Sequence, residues 1–239
     1  MDIQSNRGLT IIGVAIFLGL VAFGFIISRG AITYKEYERS VTVKGLAEEE
    51  HLADIVIWPI QFTEASNQLT DIYENLESSS EKVRSFLKSR GISQDEISIS
   101  SPLVTDKSAQ RWGGENNAEF RFVADQTVTV YSKNVEQVRD VMSQLAELGK
   151  QGITLSGDEY QVRPEYIFNS LNDIKPQMIE AATKEARAVA EKFAEDSNSK
   201  LGKIKTASQG QFSISPRDNN NPHIKNVRVF STVVYYLSD

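Results

Sequence analysis

The one acidic group that contains a histidine surrounds His51, which follows Glu48, Glu49 and Glu50 and precedes Asp54. Carboxylates and an imidazole are suitable ligands for a divalent cation. Neighbouring side chains on an extended segment point to opposite faces, however, so these groups do not converge on one ion. We therefore interpret the segment as a solvated polar turn between two strands, and we predict no metal site there.

The chemistry available elsewhere in the chain is narrow. The 239 residues include no cysteine and two histidines, and the second, His223, lies in an Asn- and Pro-rich loop without a neighbouring carboxylate. Disulfides, thiol nucleophiles and zinc–cysteine sites are thereby excluded. The sequence also lacks the nucleophile-elbow, zinc-protease and glycine-rich phosphate-binding motifs. We predict no catalytic residues, no cofactor and no enzymatic activity. An envelope hydrolase that uses a Ser–Lys or carboxylate pair is the less favoured alternative. It stays open because such a pair is brought together by the fold and leaves no sequence motif.

The charge balance and a single loop tryptophan bear on the kind of partner. The chain has 26 Lys and Arg against 32 Asp and Glu, a net charge of −6, which argues against binding to nucleic acid because phosphates require clustered cations. Trp112 lies in the turn-rich segment 107–117. Large aromatic side chains on loops often mark contact surfaces, so a binding module for a small ligand or an envelope partner is an alternative function. Packing of the ring over a sheet edge explains the tryptophan equally well.

A run without charged residues covers residues 9–27. At about 1.5 Å per residue, such a helix spans the hydrocarbon core of a bilayer. A cleaved signal peptide usually has a shorter apolar stretch followed by small residues, whereas here Arg29 follows the run. We predict that residues 1–32 form a retained transmembrane anchor, with the lipid bilayer as its partner.

The side of the membrane does not follow from charge, because Arg7 lies on one flank and Arg29, Lys35 and Arg39 on the other. Long domains translocate largely regardless of charge, and an acidic, cysteine-free body suits an envelope space, although the absence of cysteine suits the cytosol equally well. We expect a single-pass protein of the cell inner membrane whose main domain, residues 33–239, faces the periplasm.

Hydrophobic periodicity predicts an α+β fold for this body. Alternating residues predict strands, and the helical repeat predicts amphipathic helices. The predicted strands are 40–43, 53–62, 97–104, 118–131, 153–162, 203–209 and 227–237, and the predicted helices are 69–87, 135–148 and 173–200. Several connections are too short for crossovers, so we expect a mixed or antiparallel sheet with helices packed on it. The recurring strand–helix–strand unit indicates two lobes.

Individual residues predict where elements end. Gly91 suits the C-cap of the first amphipathic helix, and Asn134 with Gln137 resembles a capping box at the start of the second. Pro176 is expected in the first turn of the third helix, where its missing N–H costs nothing. Pro59 cannot donate a ladder hydrogen bond, so its strand is expected to be an edge strand or to contain a bulge.

The third helix has a face unusually rich in alanine. Small side chains allow a helix to approach a sheet or a second helix closely. We interpret the face as packing within the subunit, with a subunit interface as the alternative. The face comprises Met178, Ala182, Ala186, Val189, Ala190 and Phe193.

Four segments together resemble the SIMPL-domain family of bacterial envelope proteins. They are VTVKGLAEEEHLADIVIWPIQF, SRGISQDEISI, EAATKEARAVAEKFAEDSNSKLGKI and VRVFSTVVYYL. Gly45 and Asp54 match the opening pattern of the family, whereas Ala47 and Ala53 replace a glycine and a proline. We interpret Gly45 as a turn residue and Asp54 as a cap at the start of a strand.

The resemblance implies an envelope-tethered α+β protein that is oligomeric and linked to stress tolerance, and it carries over no catalytic residue. Together with the predicted anchor, it leads to the hypothesis of a non-catalytic, membrane-anchored scaffold that self-associates as a homo-oligomer.

Overall fold

The computed structural model of the chain describes residues 3–37, 39–109, 119–157 and 162–238. Its helices are α1 (Ile3–Tyr37), α2 (Leu69–Ser89), α3 (Val135–Met142), α4 (Ala146–Lys150) and α5 (Leu171–Asp196). Its strands are β1 (Ser40–Leu52), β2 (Ile55–Ser66), β3 (Ile97–Ile99), β4 (Leu103–Asp106), β5 (Phe122–Ser132), β6 (Glu165–Ile167), β7 (Lys200–Gln209), β8 (Ser213–Pro216) and β9 (Ile224–Ser238). The fold is therefore α+β, as predicted.

Helix α1 contains the apolar run and extends beyond it at both ends. Residues 13–30 have a mean hydropathy of 1.9 and none of that stretch is buried. A helix of this length and composition is able to cross a membrane, and its place at the N-terminus fits either an anchor or a signal sequence.

The chain divides into two compact units, in agreement with the expected lobes. Unit 1 comprises residues 1–48, 175–213 and 228–239, and unit 2 comprises residues 49–174 and 214–227. Strands β1 and β9 and helix α5 each contribute residues to both units.

Unit 2 contains a five-stranded sheet in the order β3-β5-β2-β6, with β4 also paired to β5. The pairings of β2 with β5 and β6, and of β5 with β3 and β4, are all antiparallel. The expectation of an edge strand or a bulge at Pro59 is wrong, because β2 lies between β5 and β6 and its register with β5 is unbroken. Strand β6 pairs with β2 at Ile55, Val56 and Ile57, and Leu155 bridges to Phe62. Pro59, whose nitrogen has no hydrogen to donate, lies in the gap between these two pairings.

The core of unit 2 lies between one face of this sheet and helices α2, α3 and α4. Trp58, Ile60 and Phe62 alternate along β2 and are at most 3% exposed. On α2, Ile72, Leu76, Val83, Phe86 and Leu87 form the buried stripe. Gly91 has φ +85° just past the end of α2, which confirms the predicted C-cap region, because a residue with a side chain strains in that conformation.

The predicted helix 135–148 is two short helices, α3 and α4. Between them, Gln144 N–H donates to Val141 O at 2.9 Å, and Ser143 Oγ donates to Asp140 O at 2.6 Å. These tight turns and the competing hydroxyl end the regular helical ladder. Asn134 caps α3, since its side chain accepts from Gln137 N at 3.2 Å; the reciprocal half of the capping box is absent, because Gln137 Oε1 accepts from the Asn134 side chain instead.

Several strand boundaries also differ from the prediction. The strand predicted over 97–104 is split into β3 and β4, and β8 is not among the predicted strands. Within the described part of the strand predicted over 153–162, the one bridge joins Leu155 to Phe62. Gly157 has φ +104° there, which is incompatible with an extended strand.

The predicted end of strand β1 at Gly45 is wrong. The strand runs through Gly45 and the acidic run to Leu52, with Val43, Gly45 and Ala47 on its buried face. The run was mistaken for a turn because glycine and glutamate are uncommon in strands; here they fit the period of two.

Helix α5 packs its alanine face against β1 and β9 in unit 1. Ala182, Ala186 and Ala190 are fully buried. A Cβ at Gly45 would collide with the backbone of α5 at Ala182 and Ala186. The helix and sheet backbones are therefore in direct contact, as the alanine face predicts, and Gly45 serves this close approach instead of a turn.

The ends of α5 differ from the predicted ones. The helix begins at Leu171, so Pro176 is its sixth residue and lies beyond the first turn. It ends at Asp196, and Asn198 follows with φ +50°, a conformation that asparagine tolerates and that terminates helices.

Candidate functional site

The three glutamates before His51 lie on β1 and face alternately, so they do not form one site. Each has a different nearby partner: Arg228 Nε lies 3.2 Å from Glu48, His51 Nε2 lies 3.1 Å from Glu49, and Arg217 Nη1 lies 3.5 Å from Glu50. His51 also stacks on Phe168, with ring centroids 5.5 Å apart. Among the residues that the structure describes, no group of three or more potential metal ligands is present.

Asp54 holds the segment that leads into α5. Its carboxylate accepts from the backbone N–H groups of Asn169 and Ser170, the latter at 2.8 Å, and from Ser170 Oγ at 3.0 Å. A helix start leaves N–H groups without partners, and a carboxylate is a strong acceptor for them. Asp54 is thus a structural cap, although it serves the start of a helix and not the start of β2.

Most of the loop of the alternative binding hypothesis lies outside the described residues, since these end at residue 109 and resume at 119. Trp112 is therefore not placed.

His223 lies in the hairpin that joins β8 to β9, where it is 5% exposed. Its carbonyl oxygen accepts from Ala53 N at 2.8 Å, and its ring lies 5.9 Å from the ring of Tyr166. Nδ1 is buried without a hydrogen-bond partner in the described chain. Burial, aided by the positive charges of Arg139 and Arg217, lowers the pKa of His223, so the neutral ring is favoured.

A cavity of about 330 Å³ lies beside this hairpin, within unit 2. It is lined by Arg163, Pro164, Glu165, Tyr166, Pro216, Asp218, Asn219, Pro222 and Lys225. Its volume is at the lower end of the range for small-ligand sites. The cavity combines apolar walls with a few ionisable groups.

Lys225 is the most unusual of these groups, because it is 8% exposed although it carries an ammonium. Burial lowers its pKa, and Glu165 opposes this effect only by a through-space attraction. Desolvation acts in the opposite direction on Tyr166, whose pKa it raises, and the Tyr166 hydroxyl lies 3.8 Å from Met142 Sδ. Partial desolvation therefore disfavours charge on the Lys225 and Tyr166 side chains.

Asp218 is saturated by its own hairpin. Its carboxylate accepts from Arg217 Nε at 2.9 Å and from the backbone N–H groups of Asn220 and Asn221, both at 2.8 Å. These hydrogen bonds, led by the one from Arg217, lower the pKa of Asp218 to about 2. The carboxylate therefore fixes the hairpin and has little capacity left for a group in the cavity.

Sequence reasoning missed Lys225 because it placed the start of β9 at Val227. In the structure Lys225, Val227 and Val229 lie on the same buried face of the strand. A lysine two residues before an alternating valine pair was the available signal, since alternate residues share a face.

A second surface of interest is the sheet β1-β9-β7, to which β8 adds by pairing with β9. Strand β7 is an edge strand whose residues, apart from Leu201, are all exposed, and it carries Lys200, Lys203 and Lys205 without an acidic residue. Strand β1 forms the opposite edge and carries the three glutamates. The two edges of one sheet therefore differ in charge.

The fold defines an α+β protein with an N-terminal helix that is able to cross a membrane. The sequence model of the SIMPL family, described as a protein of unknown function (DUF541), matches residues 41–229. The chain therefore belongs to the SIMPL family, which confirms the resemblance read from its sequence. A search of curated proteins found no match.

Proposed function

We propose that the protein is a non-catalytic, membrane-anchored envelope protein whose folded part self-associates head to tail. In this proposal α1 is a retained anchor in the cell inner membrane, and the main domain faces the periplasm. The link to stress tolerance stays the prediction that the family resemblance gives.

The observation that carries the proposal is the opposite charge of the two edges of the sheet β1-β9-β7. An edge strand presents N–H and C=O groups that have no partner within the sheet, so a strand of a second copy is able to add there. Lysines facing lysines would disfavour the pairing of two β7 strands. Lysines on β7 facing glutamates on the β1 strand of another copy would favour it, by about 0.2–1 kcal/mol per pair.

Exposed apolar side chains on the two edge strands support the proposal. Leu46 on β1 is 36% exposed and Ile204 on β7 is 48% exposed. They would lose contact with water in an assembly, and burial of apolar surface is the main driving force of association.

The anchor supports it in a different way. Nine residues, 31–39, separate the candidate membrane span at residues 13–30 from the start of β1 at Ser40, so a short connection joins the sheet to the membrane. Copies held in one bilayer share a layer of solution, which raises their effective concentration. A head-to-tail contact closes into a ring if the rotation between copies allows it.

The experiment uses the full-length chain in detergent micelles, with mass measured by light scattering after size exclusion. We expect an oligomer for the wild type and dissociation for two charge-reversal variants, K203E/K205E and E48K/E50K. Each variant places like charges on both edges. The control variant K133E/K150E makes the same change in net charge as K203E/K205E, on exposed lysines outside this sheet, and it is expected to assemble normally.

Mixing the two reversed variants provides the decisive step. The acidic β7 edge of one variant then meets the basic β1 edge of the other, so an equimolar mixture is expected to recover the oligomer. A monomeric wild type, or assembly that K203E/K205E leaves unchanged, would contradict the proposal.

Orientation is tested separately, by fusing alkaline phosphatase after Asp239. The enzyme is active only in an oxidising compartment, so activity in intact cells is expected, and its absence would place the domain on the cytoplasmic side. Detection of the N-terminal residues in the membrane-bound protein by mass spectrometry would confirm that the anchor is retained.

A further inference from the structure

We propose that the cavity beside the β8–β9 hairpin binds a small organic carboxylate, with its anionic group on the Lys225 ammonium and its apolar body on the cavity walls. This site is independent of the proposed assembly, since neither β7 nor the acidic run of β1 lines the cavity.

The first argument is that Lys225 has no charge partner. Lys225 is 8% exposed and lines the cavity, yet no hydrogen bond or ion pair joins it to any residue in the described ranges. Its ammonium is not among the fully buried atoms that lack a partner, so it opens onto the cavity, where partial desolvation of its uncompensated charge is costly. An anion in the cavity would remove that cost, and it would restore the pKa of Lys225 that burial lowers.

The second argument concerns the other charged groups around the cavity. Asp218 is already saturated by Arg217 and by backbone N–H groups. Glu165 attracts Lys225 without pairing with it and is exposed to solvent. Arg163 adds a second cation to the lining. The charges that are still available to a ligand therefore favour an anion.

The third argument concerns the shape and polarity of the walls. Three prolines, Pro164, Pro216 and Pro222, and the ring of Tyr166 provide rigid apolar surface in a volume of about 330 Å³. Proline loses little freedom when a ligand orders it, so the walls are preorganised. Inorganic phosphate would not use these walls, whereas a carboxylate with an aromatic or aliphatic body would.

The experiment measures the reactivity of individual lysines in the full-length protein in detergent. The amines are acylated with an N-hydroxysuccinimide ester in the presence of increasing benzoate, and each site is quantified by mass spectrometry. We expect benzoate to slow the modification of Lys225 in a saturable manner and to leave that of exposed Lys203 unchanged. Benzyltrimethylammonium, which has a similar aromatic body, the opposite charge and no amine that would consume the ester, is expected to protect neither.

Calorimetric titration with benzoate provides the second measurement. Removal of a charge-assisted contact should weaken binding about tenfold or more in K225M, whereas the matched control K203M should bind as the wild type does. If K225M fails to fold, the protection of Lys225 in the wild-type chain still decides the question.

Three results would overturn the proposal: an acylation rate of Lys225 that saturating benzoate leaves unchanged, protection by benzyltrimethylammonium equal to that by benzoate, or equal protection by inorganic phosphate. The first excludes the site, the second its preference for anions, and the third its apolar recognition. A failure here leaves the head-to-tail assembly intact, because the oligomer is measured without any ligand.

Discussion

The two units pack a helix on a sheet in opposite ways. In unit 2, large side chains such as Trp58, Phe62 and Leu87 fill the space between β2 and α2. In unit 1, α5 contributes alanines, and its backbone contacts the sheet at Gly45. Unit 2 therefore depends on buried apolar volume, whereas unit 1 depends on a short distance between backbones. Truncation of a buried side chain should therefore reduce the stability of unit 2 most, and enlargement of a buried side chain should reduce the stability of unit 1 most.

The largest effect is expected from Phe62→Ala in unit 2. Phe62 is fully buried, so its truncation leaves a cavity and should lower the free energy of unfolding by about 3–5 kcal/mol. Calorimetry of the full-length protein measures the loss. The matched truncation in unit 1, Ala190→Gly, should cost only about 1 kcal/mol, chiefly through lower helix propensity. Equal costs would break the comparison.

Next in size is the addition of a methyl group at Gly45. Gly45→Ala forces β1 and α5 apart and should cost about 1–3 kcal/mol, the usual range for overpacking. The control is Gly149→Ala on α4, where a Cβ would meet nothing within 4 Å. Because alanine favours a helix over glycine, that variant should keep or gain stability, by up to about 1 kcal/mol. If Gly45→Ala left the free energy of unfolding unchanged, the contact between the β1 and α5 backbones would have room for a methyl group, and the close approach assigned to unit 1 would be wrong.

This contrast also explains which parts of the fold were predictable. The alternation in β2 and the helical repeat in α2 predicted the core of unit 2, because large apolar residues record which face is buried. The alanines of α5 predicted a close approach. The role of Gly45 was not predictable, since the collision that excludes a side chain there comes from residues more than 130 positions away in the sequence. Glycine and the glutamates that follow it favour a turn by their local preferences, whereas the packing of β1 against α5 requires a strand at Gly45.

The candidate cavity was less predictable than the fold. The sequence pattern placed His223 in a loop, and the position of Lys225 before two alternating valines indicated burial but not a cavity. Two segments distant in sequence, residues 163–166 and the hairpin 216–225, form the cavity. The three glutamates have separate partners, as expected for side chains that alternate along an extended segment. This expectation did not depend on whether the segment belonged to a strand or to a connection between strands.

A smaller effect is expected from Asp54, which fixes the start of α5. Asp54→Ala leaves two backbone N–H groups and a hydroxyl without their acceptor and should cost about 1–2 kcal/mol. Asp173→Ala is the control, because Asp173 lies exposed in the first turn of α5 and acts only on the helix dipole. That control should cost about 0.3–1 kcal/mol, and a larger loss than at Asp54 would assign the effect to the dipole instead of the cap.

The smallest effect is a dependence on pH, which again separates the units. Of the charged or titratable side chains that are buried in the described chain, His223 and Lys225 belong to unit 2, and burial lowers the pKa of His223 from its ordinary 6.5. Below about pH 6.5 His223 binds a proton in the unfolded chain but stays neutral in the folded chain. The free energy of unfolding therefore falls as the pH decreases.

Comparison of the wild type with His223→Phe between about pH 7.5 and about pH 5 measures this contribution. The variant keeps an aromatic ring beside Tyr166 but has no proton to bind, so its stability should fall less over the same interval. Asp218 does not confuse the result, since its pKa of about 2 confines its own contribution to lower pH, where stability is lost as the carboxylate protonates. Equal slopes of the free energy of unfolding against pH would mean that the folded and unfolded chains bind the proton on His223 equally readily. The desolvation assigned to His223 would then be wrong.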